Sequence, residues 1–233
     1  MIYVTSDLHG YPLEKFEALL RKANFSERDF CMVLGDVIDR GPDGIRLLEW
    51  IMLQPNVDML LGNHEAFLLA CDFLLDDVTD ESINSLAAEK MDVLSNWLQS
   101  GGDVTLKALQ ETNPAQVLAI MEYLREAPLY ETVSAGGRDF LLVHSGLENF
   151  DKNKPLKDYS ADELLWCRPS LGDRYFDDVI TVFGHTPTGL FGREYVDRMV
   201  QTDTWIDIDT GASSGRNPML LRLDDLTPIY AEA

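Results

Sequence analysis

Apolar and polar positions along the chain alternate between two rhythms. Residues 2–5 are an apolar run with strand character, and Leu13, Phe16, Leu19 and Leu20 then recur at helical spacing between residues 12 and 23. Residues 30–34 form a second apolar run, followed by a helix from about residue 42 to 52 with Pro42 near its start. A third run, residues 57–61, leads into Gly62-Asn63-His64-Glu65. Three strand–helix units in succession predict an α/β sheet whose connecting loops gather at one edge. From residue 66 to about 127 the pattern is helical, with amphipathic stretches at 66–75, 83–99 and 114–126. Asp80 and Ser82 are candidate caps, Asn113-Pro114 opens the last of these helices, and Gly101-Gly102 breaks the run. This block holds no histidine and reads as a helical insert beside the site, its apolar residues forming core, with substrate choice as its candidate role. Runs at 129–133 and 139–143 around Gly136-Gly137 predict a hairpin. A short helical turn at 163–166, a strand at 179–183 and strands at 205–208, 219–223 and 228–230 follow. The last three are expected to build a second, more antiparallel sheet.

Composition narrows this picture. The chain has 233 residues, 45% hydrophobic and 25% charged, which suits one globular domain over residues 1–233. No apolar run approaches the roughly 18 residues that cross a bilayer, and the N-terminus lacks a signal-peptide pattern, so the cytoplasm is the expected location. Cys31, Cys71 and Cys167 are odd in number and widely spaced, which argues against disulfides and a thiolate zinc site. A net charge of -21 argues against nucleic acid as a partner.

The chemistry stands where the strands stop. Asp7 and His9 follow the first run two residues apart, which in extended chain points both side chains the same way. Asp36, Asp39 and Arg40 follow the second run between Gly35 and Gly41. Asp36 reads as a carboxylate for two metal ions, Asp39 as the orienter of an acid and Arg40 as a phosphate grip. A strand-to-helix loop with a solvated Asp-Arg pair is the alternative for this stretch alone. Asn63, His64 and Glu65 follow the third run. The four histidines, His9, His64, His144 and His185, all stand at or near strand ends and beside glycines. With Asp7, Asp36 and Asn63 they make a nitrogen and oxygen donor set large enough for two metals, one that suits Mn, Fe, Zn or Co.

These residues resemble the PPP family of phosphoprotein phosphatases, within the calcineurin-like metallophosphoesterases. The resemblance rests on Asp7-Leu8-His9-Gly10, Gly35 to Gly41, Gly62 to Glu65, His144-Ser145-Gly146 and Gly184-His185-Thr186, in order. The length and Leu165-Trp166-Cys167-Arg168 look most like small bacterial and phage members. The resemblance implies a β-sandwich of mixed sheets flanked by helices. It implies that Asp7, His9 and Asp36 bind one divalent ion. Asp36 would bridge to a second, completed by Asn63, His144 and His185, with manganese the expected metal. His64 would be the general acid oriented by Asp39, with Arg40 and Arg168 on the phosphate oxygens. The expected activity is hydrolysis of phosphoserine and phosphothreonine in proteins or peptides by a metal-bound hydroxide. The alternative is symmetrical diadenosine tetraphosphate hydrolysis, or cleavage of another nucleotide, on the same site.

Overall fold

The structure is a computed structural model that describes residues 1–75 and 88–231. The expected caps Asp80 and Ser82, and the start of the 83–99 stretch, lie outside the described residues.

The first half follows the strand–helix alternation: β1 (Ile2–Thr5), α1 (Leu13–Lys22), β2 (Phe30–Val33), α2 (Gly44–Leu53), β3 (Val57–Met59) and α3 (Asn63–Ala70). The helical block supplies α4 (Ala88–Trp97), a wide π-helical turn at Leu98–Gly102, α5 (Asp103–Glu111) and α6 (Pro114–Glu126). Helix α5 lies outside the stretches marked by amphipathic spacing. It starts directly after the glycine pair, where Gly101 takes a left-handed φ of 98°. At α6, the Asn113 side chain accepts from Ala115 N and Pro114 takes the first turn, as expected.

The second half holds β4 (Tyr130–Ala135), β5 (Arg138–Val143), α7 (Ala161–Leu165), β6 (Val179–Phe183), β7 (Val200–Gln201), β8 (Trp205–Asp207), β9 (Met219–Arg222) and β10 (Thr227–Tyr230). The predicted hairpin forms, with β4 antiparallel to β5. The expectation for the last three strands needs correction. Strand β8 lies parallel to β6 in the second sheet, whose order is β4-β5-β6-β8-β7. Strands β9 and β10 return to the first sheet, β10-β9-β1-β2-β3, and add an antiparallel edge to its parallel strands.

Side-chain alternation explains why two such sheets stack. Val4, Met32 and Leu34 meet Phe140, Leu142, Val182 and Ile206 between the sheets. Their neighbours Tyr3, Cys31 and Val33 turn the other way, against Phe16, Leu47 and Leu48 of the helices. On the second sheet, Leu141, Val143, Phe183 and Trp205 face outward into a third cluster with Leu164. Strands covered on both faces need continuous apolar runs, which is the pattern seen in the sequence. Each fully buried large side chain contributes about 1.5–3 kcal/mol. Trp97, Leu109, Ile120 and Leu124 of the helical block enter the same cluster as Phe16 and Leu47. Among the described residues, no helix is long and apolar enough to cross a membrane.

Candidate metal centre

The loops that follow β1 and β2 are zippered together. Asp7 N donates to Gly35 O at 3.1 Å, His9 N to Asp36 O at 2.9 Å and Gly10 N to Val37 O at 2.8 Å. The price of this close meeting is backbone strain. Ten described non-glycine residues have positive φ, and six are predicted site residues: Asp7, His9, Asp36, Asp39, Arg40 and His185. A left-handed backbone at such residues costs on the order of 1–3 kcal/mol, and it clusters where surrounding structure imposes it at functional sites. The expected extended geometry of Asp7 and His9 is therefore wrong, with φ of 51° and 43°. The two side chains converge through a tight turn instead. Gly10, at φ 62°, is needed there because a Cβ would strike the Gly41 carbonyl.

Glu65 clamps the second loop from below. Its buried carboxylate accepts from the backbone N–H groups of Asp36 (2.8 Å), Val37 (2.9 Å), Ile38 (3.2 Å) and Gly62 (3.0 Å). Burial and then the Asp36 charge push its pKa up to about 7, while the backbone donors pull it down. The expected third strand-end carboxylate thus faces the loop backbone. Gly62-Asn63-His64-Glu65 also forms the start of α3, and His64 N donates to Asp36 Oδ1 at 3.0 Å. The positive end of α3 is aimed at the Asp36 carboxylate.

Asp36 lies between two groups of donors, His9 with His64 and His144 with His185, in which the potential ligand atoms all lie within 4.8 Å of one another. Its Oδ2 is 3.5 Å from His9 Nε2, and its Oδ1 is 3.5 Å from His144 Nε2. One oxygen serves each side, as a bridging ligand requires. Asp7 Oδ1 is 3.9 Å from His9 Nε2, and Asn63 Oδ1 is 2.9 Å from His144 Nε2 and 2.8 Å from His185 Nδ1.

The protonation pattern calls for cations. His9 Nδ1 donates to Ile38 O at 3.1 Å and His144 Nδ1 to Leu34 O at 2.7 Å, so Nδ1 of each ring carries a hydrogen. Each Nε2 lone pair then faces further acceptors, carboxylates for His9 and the Asn63 amide oxygen for His144. Burial lowers the pKa of His9 and of His185 to about 3, leaving both rings in the neutral form that binds metal. Burial and then the Asp36 charge push the Asp7 carboxyl well above its usual range. Lone pairs and carboxylates turned toward each other are costly without positive charge. The six predicted ligands, Asp7, His9, Asp36, Asn63, His144 and His185, fit two divalent ions that share Asp36.

His64 is held differently. Its Nδ1 is 2.6 Å from Asp39 Oδ2, and its Nε2 is 3.0 Å from Arg40 Nη2. A carboxylate on one ring nitrogen and a guanidinium on the other mark His64 out, although its ring also lies within the donor group of His9 and Asp36. Burial disfavours a charged ring, but Asp36 and then the Asp39 bond outweigh it and raise the pKa above the usual value. The guanidinium can only donate, so Nε2 accepts from Arg40 and the ring hydrogen is on Nδ1, toward Asp39. Arg168 lines the same cavity of about 430 Å³ with His9, Asp36, Arg40, Asn63 and His64.

The helical block does more in this site than its reading as an insert beside it suggests. Trp97 Nε1 donates to Asp39 Oδ2 at 2.8 Å, and Thr105 Oγ1 donates to Asp39 Oδ1 at 2.6 Å. Arg40 is tied back through Nε to Ser100 O and through N to Gly101 O. Thr105→Val keeps the volume but removes both hydrogen bonds that Thr105 Oγ1 makes with Asp39, one donated to its side chain and one accepted from its backbone N–H. Stability is expected to fall by about 1.5–3 kcal/mol in denaturant titration, with both metal ions retained. Asp209, 2% exposed, also lines the cavity; its place after the apolar run 205–208 was the available signal.

Residues 1–208 match the sequence profile of the calcineurin-like phosphoesterases. The chain belongs to this family. Its two mixed sheets with flanking helices are the calcineurin-like fold. A symmetrical bis(5'-nucleosyl)-tetraphosphatase of Acidovorax sp. (strain JS42) is 31% identical over 166 residues, covering 70% of this chain and 47% of that protein. The chain thus matches about half the length of that relative. A crystal structure provisionally assigned as a diadenosine tetraphosphatase superposes with a TM-score of 0.66 at 17% identity, covering 98% of this chain and 91% of its own. A protein serine/threonine phosphatase from Saccharomyces cerevisiae gives 0.54 at 16% identity, covering 100% and 79%. At such identities the two structures speak for the fold alone.

Proposed function

We propose that this calcineurin-like phosphoesterase hydrolyses the central phosphoanhydride of a bis(5'-nucleosyl) tetraphosphate, releasing two nucleoside diphosphates. The observation that carries the substrate is the 31% identity to the Acidovorax tetraphosphatase over 70% of the chain. It reverses the order of the sequence reading, which placed phosphoserine and phosphothreonine first. The donor set serves either substrate, so the relatives weigh more than the site on this point.

In this reading, Asp7, His9, Asp36, Asn63, His144 and His185 hold two divalent ions, with manganese the first to test. Such a pair supplies hydroxide near neutral pH and a clamp for phosphoryl oxygens. Arg40 and Arg168 meet the spreading negative charge with forked donors. The water oxygen bonds to phosphorus, and the bond from that phosphorus to the bridging oxygen breaks. The electron pair leaves with one nucleoside diphosphate, and His64, aimed by Asp39, can hand it a proton.

The test is a turnover assay with added manganese, giving diadenosine tetraphosphate and phosphoserine or phosphothreonine peptides side by side. ADP as the sole nucleotide product, formed faster than phosphate from peptides, is the expected result. ATP with AMP would show cleavage at the wrong anhydride, and faster peptide dephosphorylation would restore the first reading.

A further inference from the structure

The cavity over the candidate metal centre is bounded by Trp166 and Arg168, and the same two residues line a second cleft of about 590 Å³. Two cavities thus lie in series with a shared wall. The second is walled by Phe150, whose ring packs edge-on against Tyr175 at 5.4 Å and Phe176 at 4.9 Å. Trp166 stands between the cavities with 39% of its surface exposed. Its ring is braced edge-on by Phe67 at 5.2 Å and by His185 at 6.0 Å. A braced indole left open to solvent is a ready platform for a flat ring.

The rim chemistry of this cleft differs from that of the first cavity. It presents Glu148, Asn149 and Asp173, and its Arg174 is engaged by Asp203 at 3.0 Å and Asp177 at 3.4 Å. Asn149 adopts a left-handed φ of 52°. Two carboxylates on a chain of net charge -21 disfavour a polyanion there. They suit a neutral group rich in hydroxyls. Among the described residues that line the cleft, Arg168, at the junction, is the arginine without an ion pair, and it offers a forked cation to a phosphate.

We infer that the second cleft binds one nucleoside of the dinucleotide substrate, with the base on Trp166, the ribose hydroxyls donating to Glu148 and Asp173, and Arg168 on the connecting phosphate. This rests on the proposed dinucleotide activity and gives it a specificity residue. A phosphorylated amino-acid side chain would use the first cavity alone.

The experiment compares wild type, Trp166→Ala and Trp166→Phe in the manganese-loaded protein. Substrates are diadenosine tetraphosphate and 4-nitrophenyl phosphate; inhibitors of the latter reaction are ADP and inorganic phosphate. One base–aromatic stack predicts that Trp166→Ala lowers kcat/KM for the dinucleotide about 5- to 150-fold more than for 4-nitrophenyl phosphate, chiefly through KM. Trp166→Phe should recover most of this loss. Equal losses on both substrates would make Trp166 a mere prop for His185 and overturn the subsite while dinucleotide turnover stands. If wild type leaves the dinucleotide intact, the proposed activity fails and ADP decides the subsite. A Ki for ADP that Trp166→Ala weakens by tenfold or more relative to that for phosphate supports it, and a parallel change in the two refutes it.

Discussion

Asp36→Asn is expected to empty the metal centre and to remove nearly all turnover on every phosphoester. The carboxylate presents one oxygen to His9 Nε2 and the other to His144 Nε2, each at 3.5 Å. An asparagine has only one oxygen, so it cannot serve both sides, and its lost charge leaves two dications less compensated. Metal content should fall from two ions per chain to one or none. The drop in kcat/KM should exceed the about 10²- to 10³-fold cost of losing a single electrostatic donor. Thermal unfolding adds an independent reading, because ligands that bind only the folded state raise Tm by mass action. Wild type should gain stability on manganese addition, and Asp36→Asn should gain much less. Two retained ions with near-normal turnover would dismantle the shared-carboxylate arrangement.

His64→Asn should retain both ions yet lose activity by an amount set by the leaving group. General-acid assistance is worth about 10²- to 10⁴-fold where the departing oxygen is strongly basic. A phosphoserine peptide, whose leaving group is an alkoxide, should show the full loss. Nitrophenolate and a departing nucleoside diphosphate are weak bases, so 4-nitrophenyl phosphate and diadenosine tetraphosphate should lose far less. The 2.6 Å contact to Asp39 and the Arg40 contact at Nε2 both point to this role. Losses of one size on all three substrates would take the acid role from His64. Loss of bound metal would put the residue among the ligands.

Much of this molecule is legible from its sequence. The strands run between a helical layer and a second sheet, so their residues are apolar on both faces, and each polar residue at their ends stands out. All four histidines fall at such ends, and Asp7, His9, Asp36, Asn63, His144 and His185 come together in space. Local pattern sufficed because each of these side chains is delivered by the strand just before it.

Tertiary structure decided the rest. The fates of β8, β9 and β10 depended on which edge each could reach, and a short apolar run does not encode its partner. Glu65 looked like one more carboxylate for the site until four backbone donors defined it as the clamp beneath Asp36. Trp97 and Thr105 lie 58 and 66 residues beyond Asp39, the first in a stretch whose spacing marks only core and the second in a helix the spacing does not mark. Their contacts leave no period and no local motif, because a hydrogen bond across that distance is set by how α4 and α5 pack. The sequence by itself thus determined which polar residues stand at the strand ends and the strands that carry them. Only the packing of two sheets and a helical layer determined what holds those donors in a strained backbone and what lies on the far side of Trp166.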